Sequence, residues 1–206
     1  MKKFLSGVSA ALQAASYALS AHLRGPVLGD PRALLCNYED SLLRIYSRQY
    51  FRRLMEGALQ SGRVFTLALW DLDHFATINN KLGHLMGDQV LIQISNIITR
   101  ESFGAVGRLG GEEFGILIKD LPSSMAQPIC ENIRRRIEKA IPMGIHVTAS
   151  CGLAGFPEDG RSWSDLVRHA DEALYYAKQH GRNQVVVWSR EMAKVHAGGD
   201  LCIVPN

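Results

Sequence analysis

One uninterrupted apolar segment, residues 64–70, most constrains the fold of this 206-residue chain. It contains β-branched and aromatic residues and shows no alternation of polar and apolar positions. Such a run is typical of a central strand that is covered on both faces. The run ends directly in Asp71-Leu72-Asp73, although a buried strand ordinarily ends in apolar residues or in a turn former. The sequence therefore predicts a buried strand that carries two acidic side chains to one end of a sheet.

The patterns around this strand predict an α/β domain with a mixed central sheet surrounded by helices. Further strands are predicted at residues 105–108, 113–118, 146–154 and 185–188, and helices at residues 38–61, 89–99, 123–140 and 163–179. The hydrophobic fraction of 47% and the charged fraction of 21% are those of a globular protein. Because strands and helices alternate and one strand pair is joined by a tight turn, we expect helices that pack on a mixed sheet.

The first 28 residues carry a different pattern. Apolar residues recur there in steps of three and four, at Leu5, Val8, Leu12, Ala15 and Leu19. This spacing predicts an amphipathic helix, either a dimer or partner segment or a frayed leader. Membrane contact is less favoured, and the run is too polar and short for a membrane span. A turn-rich stretch at residues 25–31 separates the helix from a main domain expected at residues 38–190, and residues 191–206 are expected to form a loose tail.

Charge and cysteine usage exclude two classes of function. The net charge of only +3 does not indicate the excess of positive charge that binding a long nucleic acid requires, so we expect no nucleic-acid partner. The four cysteines are not spaced as zinc ligands, and Cys130 and Cys151 lie in apolar patterns typical of a core. A reducing, cytoplasmic location is the resulting expectation.

A second acidic pair follows two glycines, in the sequence Gly110-Gly111-Glu112-Glu113. If this hairpin pairs beside the first strand, the acids of both segments meet at one end of the sheet. Clustered carboxylates repel one another unless a cation lies between them, and oxygen ligands favour Mg²⁺ or Mn²⁺. The pattern indicates metal-assisted chemistry on a nucleotide. Helix capping by Asp71 and Asp73, and ordinary hairpin-tip charges at the glutamates, remain open alternatives at this point.

The segment Arg108–Phe114 resembles the signature of GGDEF domains, in its GGEEF form. Three further blocks resemble motifs of the same family in the same order, at residues 71–88, 150–152 and 170–183. The resemblance spans about residues 40–188. It implies a fold like the palm of nucleotidyl cyclases and polymerases, with a ferredoxin-like core.

The resemblance implies a diguanylate cyclase, which joins two GTP molecules into cyclic di-GMP and releases pyrophosphate. Each domain of this family holds one GTP, so a homodimer is implied. Asp71, Glu112 and the backbone carbonyl of Leu72 would bind two Mg²⁺ or Mn²⁺ ions per active site. Glu112 and Glu113 would be the catalytic residues, with Glu113 a further metal ligand or a base.

The resemblance also assigns the substrate-binding residues. Asn79 and Asp88 would recognise the guanine edge, and the backbone between Leu72 and Phe75 would hold phosphates. Lys178 and Arg182, four residues apart across a helix end, would neutralise the triphosphate. The remaining positions of the matched motifs that are assigned to the substrate are His84, Gly110 and Gly111.

The chain departs from the family pattern at several positions. Ala76 replaces a usual lysine near the terminal phosphate, Asn80 replaces a usual aspartate, and the opening motif at residues 40–48 matches only in part. Glu101 and Gly104 occupy the places of the family's feedback-inhibition site, so product inhibition through it is not expected. These departures favour an alternative, a degenerate GGDEF domain that binds GTP or another protein without catalysis. A cyclase with relaxed base choice is a third hypothesis.

Overall fold

The computed structural model describes residues 38–192. The predicted N-terminal helix at residues 1–28 and almost all of the predicted tail at residues 191–206 lie outside the described residues. The described helices are α1 (Arg48–Ser61), α2 (Phe75–Leu82), α3 (His84–Glu101), α4 (Ser123–Ala140) and α5 (Trp163–Gln179), with a short 3₁₀ helix at Pro142–Gly144. The described strands are β1 (Phe65–Leu72), β2 (Ala105–Arg108), β3 (Glu113–Lys119), β4 (Ala149–Phe156) and β5 (Val185–Val187).

The five strands form one mixed sheet in the order β2-β3-β1-β4-β5. β1 lies in the centre and runs antiparallel to both neighbours, β3 and β4, whereas β4 and β5 run parallel. The predicted α/β fold with a mixed sheet is therefore confirmed. β1 ends at Leu72, two residues later than predicted, so Asp71 belongs to the strand itself.

Helices cover both faces of the sheet, which explains why every residue of β1 is buried. On one face Ala68 and Trp70 pack in a cluster with residues of α3 and α4. On the other face Leu67 and Leu69 pack in a second cluster with residues of α1 and α5. Since successive side chains of a strand alternate between faces, Asp71 lies on the same face as Leu67 and Leu69, which is the face that α5 covers.

Helix α5 approaches the sheet unusually closely at one glycine. A Cβ atom on Gly152 would lie 2.0 Å from the carbonyl oxygen of Ala170 and 2.4 Å from the backbone nitrogen of Leu174. Because β4 has no side chain there, the backbone of α5 lies directly on the strand. This close contact fixes the helix whose last turn carries Lys178.

The helix predicted over residues 38–61 begins only at Arg48. Before it, a carboxylate oxygen of Asp40 accepts a hydrogen bond from the backbone N–H of Leu43 at 2.9 Å and stabilises a turn. The side chain of Ser47 then caps the first turn of α1. Short polar side chains that bond to nearby backbone groups favour turns and helix starts over helix interiors, which is why the prediction was wrong for residues 38–47.

Two other predicted boundaries also change. Helix α3 begins at His84 instead of residue 89, so Asp88 lies inside the helix and does not cap it. β4 occupies residues 149–156 instead of 146–154, because its pairing partner β1 sets the register from Leu72↔Ala149 to Phe65↔Phe156.

Cys130 and Cys151 are buried free cysteines, as predicted from their apolar surroundings. None of the helices between residues 38 and 192 combines the length and the apolar character that a membrane span requires.

Candidate active site

The two acidic segments meet where β1 and β3 lie side by side. The antiparallel register places Asp71 opposite Glu113, and directly opposed residues of such a pair share a face of the sheet. The backbone N–H of Leu72 donates to the carbonyl oxygen of Glu112 at 3.4 Å. Asp71, Glu112 and Glu113 therefore form one group, which we call the carboxylate cluster.

Arg108 holds the glycine turn that carries the two glutamates. Its guanidinium donates to the carbonyl oxygens of Gly110 at 3.0 Å and Gly111 at 2.8 Å, and to the carboxylate of Asp40 at 3.2 Å. A Cβ on Gly110 would lie 2.1 Å from a carboxylate oxygen of Glu113, so the glycine leaves room for the Glu113 side chain beside the turn. The link between Arg108 and Asp40 joins positions 68 residues apart, and no local pattern in the sequence indicates it.

Lys178 reaches the carboxylate cluster from the last turn of α5. Its ammonium nitrogen lies 2.8 Å from a carboxylate oxygen of Asp71, which is 8% exposed. Burial raises the pKa of Asp71, and the hydrogen bond and charge of Lys178 together with the charge of Arg182 partly offset that rise. Arg182 is exposed in the turn after α5, and its positive charge also favours the ionised form of Asp71.

The two glutamates have raised pKa values for related reasons. Burial is the largest cause of the raised pKa of Glu112, followed by the negative charge of Asp71. The same two causes, with contributions from Glu112 and Asp171, raise the pKa of Glu113 to about 7. The cluster thus holds more negative charge than Lys178 offsets, and a divalent cation would relieve this repulsion.

The oxygen atoms of the carboxylate cluster and of the neighbouring backbone are of the type that binds a hard divalent cation. Asp71, Glu112 and the Leu72 carbonyl are the oxygen groups that Mg²⁺ takes when substrate phosphates and water complete its coordination. Among the described residues, no three Asp, Glu, His or Cys side chains form a metal-binding group by themselves.

A buried polar atom without a partner lies at the contact between α2 and α3. The side-chain oxygen of Asn79 is buried, and no hydrogen-bond partner for it exists among residues 38–192. It lies against the backbone of Gly87, where a Cβ would come within 1.9 Å of it. Asp88, half-buried, follows in the next position of α3. A buried carbonyl oxygen without a donor, beside a carboxylate, is suited to a ligand that presents several N–H donors.

The segment between β1 and the first turn of α2 can present backbone groups to a ligand. Phe75 is 3% exposed and packs in the core, so only its backbone is available to a ligand. His74 has a left-handed backbone conformation (φ 58°) directly before α2, and Ala76 is exposed in the first turn. The first N–H groups of a helix have no intrahelical acceptor and can bind phosphate.

Two further predicted positions lie at the surface. His84 is exposed at the first residue of α3, and Gly111 is exposed at the tip of the hairpin. Asp73, by contrast, is buried and accepts hydrogen bonds from the side chains of Thr148 and Ser150. The two aspartates after the apolar run thus have different surroundings, and neither provides the side-chain cap of α2.

Comparison with known families identifies the domain. The family model described as diguanylate cyclase, GGDEF domain, matches residues 37–184. The chain belongs to the GGDEF family. It is 35% identical over 162 residues to the probable diguanylate cyclase DgcT of Escherichia coli, an alignment that covers 73% of this chain and 35% of that protein. It is 30% identical over 188 residues to diguanylate cyclase A of Treponema denticola, covering 84% of this chain and 50% of that protein. The chain thus spans half or less of the length of these two GGDEF relatives.

Solved GGDEF structures have the same fold. The coiled coil and GGDEF domain of DgcB from Caulobacter crescentus, in complex with c-di-GMP, superposes with a TM-score of 0.68 at 26% identity, covering 89% of this chain and 98% of that one. The active GGEEF domain of a diguanylate cyclase from Vibrio cholerae superposes with a TM-score of 0.63 at 27% identity, covering 69% of this chain and 94% of that one.

Proposed function

We propose that this GGDEF protein is a diguanylate cyclase that condenses two GTP molecules into cyclic di-GMP and releases pyrophosphate. The observation that carries the proposal is the carboxylate cluster with Lys178 2.8 Å from Asp71. This arrangement places carboxylate oxygens that can bind a metal beside an ammonium group that can bind phosphate. The family relationship supports the same activity, and its relatives include named diguanylate cyclases.

Guanine recognition is assigned to Asn79 and Asp88. The guanine edge carries an N1–H and an exocyclic amino group, which are donors to the Asn79 oxygen and the Asp88 carboxylate. Adenine lacks the N1–H donor and would leave these acceptors unpaired, which is the costly case for a buried polar group. The buried Asn79 oxygen, for which the described residues supply no donor, supports this assignment.

The triphosphate would lie between the start of α2 and the end of α5. Backbone N–H groups in the loop from Leu72 to Phe75 would hold phosphate oxygens at the helix N-terminus. Lys178 and Arg182 would supply positive charge from the opposite side. When GTP enters, Lys178 exchanges part of its contact with Asp71 for contacts with phosphate, and His84, Gly110 and Gly111 border the bound nucleotide.

Asp71, Glu112 and the Leu72 carbonyl would hold Mg²⁺ or Mn²⁺, two ions per site. Ions held there would supply Lewis-acid activation of the attacking 3′-hydroxyl and offset negative charge on the phosphate. Glu113, the half-buried neighbour of Glu112, would accept the proton of that hydroxyl.

The reaction needs two copies of the chain, because one site holds one GTP and the product joins two. A two-fold symmetric homodimer brings the two sites face to face. The amphipathic segment at residues 1–28 would promote the encounter by raising the effective concentration of the second domain. We place the reaction in the cytoplasm, where GTP is available. A chain lacking residues 1–28 should need a higher protein concentration for the same rate per mole, and an unchanged concentration dependence would remove this role.

A non-catalytic GTP-binding or interaction module is the second candidate. Ala76, exposed in the first turn of α2, supplies no charge where the family has a lysine, and this observation favours weak triphosphate binding. The two candidates differ in turnover, since a binding module would retain GTP without releasing pyrophosphate.

Pyrophosphate release from GTP in the presence of Mg²⁺ or Mn²⁺ tests the proposal. We expect release from GTP but not from ATP, at a rate per mole that rises with protein concentration until the dimer is saturated. The Glu112→Ala variant, which removes one metal-binding carboxylate, should lose the activity. Binding of GTP without pyrophosphate release at any protein concentration would support the interaction module instead.

A further inference from the structure

We propose that Asp73 is a positioning residue that holds the turn bearing Arg182 in place for the triphosphate, and that it does not bind the metal. This inference rests on the proposed binding of GTP. It concerns the second acid of the Asp71-Leu72-Asp73 segment, for which the proposed mechanism has no chemical role.

The carboxyl group of Asp73 is already engaged by the protein on both oxygens. One oxygen accepts a hydrogen bond from the Ser150 hydroxyl at 2.8 Å. The other accepts from the Thr148 hydroxyl at 2.7 Å and from the backbone N–H of Asn183 at 3.0 Å. Asp73 is 5% exposed. These contacts make it a junction between the end of β1, the start of β4 and the turn after α5.

The turn that Asp73 contacts has an unfavourable backbone conformation. Arg182 and Asn183 are consecutive non-glycine residues with positive φ, 60° and 48°, a region that L-residues rarely occupy unless other contacts impose it. The Asn183 side chain accepts from Arg134 at 2.7 Å and donates to Glu138 at 2.8 Å, which fixes the turn to α4. The hydrogen bond to Asp73 is the contact that fixes the same turn to the end of β1.

Asp73 therefore connects the strand end that carries Asp71 to the turn that carries Arg182. Asp71 of the carboxylate cluster and Asp73 are two residues apart at one strand end, and Asp73 holds the residue that follows Arg182. The strand that places a metal-binding acid therefore also sets the position of the arginine. Loss of the Asp73 contact should let the turn leave its left-handed conformation and move the guanidinium away from the triphosphate.

Two substitutions separate this role from metal binding. Asp73→Ala removes all three acceptor contacts. Asp73→Asn can keep them, because the amide oxygen can accept from Thr148 and Asn183 while the amide N–H donates to the Ser150 hydroxyl, which can also accept. A positioning residue tolerates the asparagine, whereas a metal ligand that needs its negative charge does not.

The test measures nucleotide binding by the full chain with Mg²⁺, using 3′-deoxy-GTP, which cannot form the product, and GMP, which lacks the outer phosphates. Asp73→Ala should weaken 3′-deoxy-GTP binding about tenfold and GMP binding less than about twofold, because only the triphosphate contact is lost. Asp73→Asn should stay within about threefold of the wild type. Asp73→Ala combined with Arg182→Ala should bind no more weakly than Arg182→Ala alone.

Asp159→Ala is the matched control for a general loss of stability. The Asp159 carboxylate accepts from the backbone N–H of Gly155 at 2.7 Å and from the Ser123 hydroxyl, at the other end of β4. That end pairs with Phe65, six residues from Asp71 along β1 and thus about 20 Å away. This variant should show no selective loss of 3′-deoxy-GTP over GMP.

Three results would overturn the inference: equal weakening of both nucleotides by Asp73→Ala, an asparagine variant as defective as the alanine variant, or additive effects of the Asp73 and Arg182 substitutions. Failure of the proposed GTP binding is a different result, in which the wild type binds neither nucleotide. In that case amide hydrogen exchange still decides whether Asp73 fixes the turn. The Asn183 amide should exchange faster in Asp73→Ala than in the wild type, and unchanged exchange would overturn the inference.

Discussion

Replacing Glu113 by glutamine should stabilise the metal-free protein at alkaline pH and leave its stability unchanged at acidic pH. Burial and the neighbouring carboxylates raise the pKa of Glu113 from 4.5 to about 7. In the unfolded chain the carboxyl group ionises near 4.5, whereas in the folded chain it stays protonated up to about pH 7. Ionisation therefore destabilises the fold progressively between these pH values, and the loss is complete above pH 7. Glutamine has a similar shape and does not ionise.

The magnitude follows from the two pKa values. A difference from 4.5 to about 7 gives an upper bound of about 3.4 kcal/mol, at about 1.36 kcal/mol for each pH unit. Glu113 is only half-buried, and solvent screening reduces such terms substantially. We therefore expect Glu113→Gln to raise the free energy of unfolding by about 1 kcal/mol at pH 8, and by almost nothing at pH 4.5.

Urea denaturation in the presence of a chelator, at pH 4.5, 6 and 8, measures this effect. Mg²⁺ should stabilise the wild type more than the glutamine variant at pH 8, because the ion relieves a repulsion that the variant has already lost. Glu56→Gln, an exposed site on α1, controls for the loss of any carboxylate. If the difference in the free energy of unfolding between Glu113→Gln and the wild type is the same at all three pH values, the carboxylate cluster does not raise the pKa of Glu113.

Three further substitutions test individual contacts, and a fourth, Gly57→Ala, serves as a control. Gly87→Ala should raise the KM for GTP about tenfold or more, because the new Cβ would lie 1.9 Å from the Asn79 oxygen and displace the base-recognition group. Gly152→Ala should lower the free energy of unfolding in urea by about 3 kcal/mol or more, because its Cβ meets the backbone of α5 at 2.0 Å. Gly57→Ala, in the interior of α1 with nothing within 4 Å, should instead be neutral or stabilising by up to about 1 kcal/mol. Lys178→Met should lower stability at pH 8 by about 1–3 kcal/mol, since it leaves a buried carboxylate without its cation.

A separate result would contradict each of these three predictions. An unchanged KM for GTP in Gly87→Ala would show that Asn79 does not contact the base. A Gly152→Ala protein as stable as the wild type would mean that α5 can move away from β4 without loss. Full stability of Lys178→Met at pH 8 would indicate that the carboxylate at the end of β1 needs no pairing.

The sheet and the carboxylate cluster could be predicted from the sequence because their signals are local. The apolar run of β1 and its abrupt acidic end are visible as a pattern, and burial on both faces follows from the absence of alternation. The convergence of Asp71 with Glu113 required only that one hairpin pair beside that strand, which the register confirms.

The parts that could not be predicted depend on contacts between distant positions. The turn at residues 38–47 has helical spacing of apolar residues, but a hydrogen bond from Leu43 to Asp40 and a bridge from Tyr46 to Gly107 decide its conformation. Asp73 belongs to the same short motif as Asp71, and nothing in the spacing separates their roles. Its partner Asn183 lies 110 residues away, so only the folded chain reveals the difference.

Mass spectrometry of the products formed from GTP is the most direct measurement of the central claim. The purified 206-residue chain would be incubated with GTP and Mg²⁺ or Mn²⁺ at several protein concentrations, beside Glu112→Ala and Asp159→Ala. We expect cyclic di-GMP from the wild type and from Asp159→Ala, and none from Glu112→Ala. Unchanged GTP as the sole nucleotide at every concentration, from a protein that still binds it, would contradict the assignment of catalysis to this site.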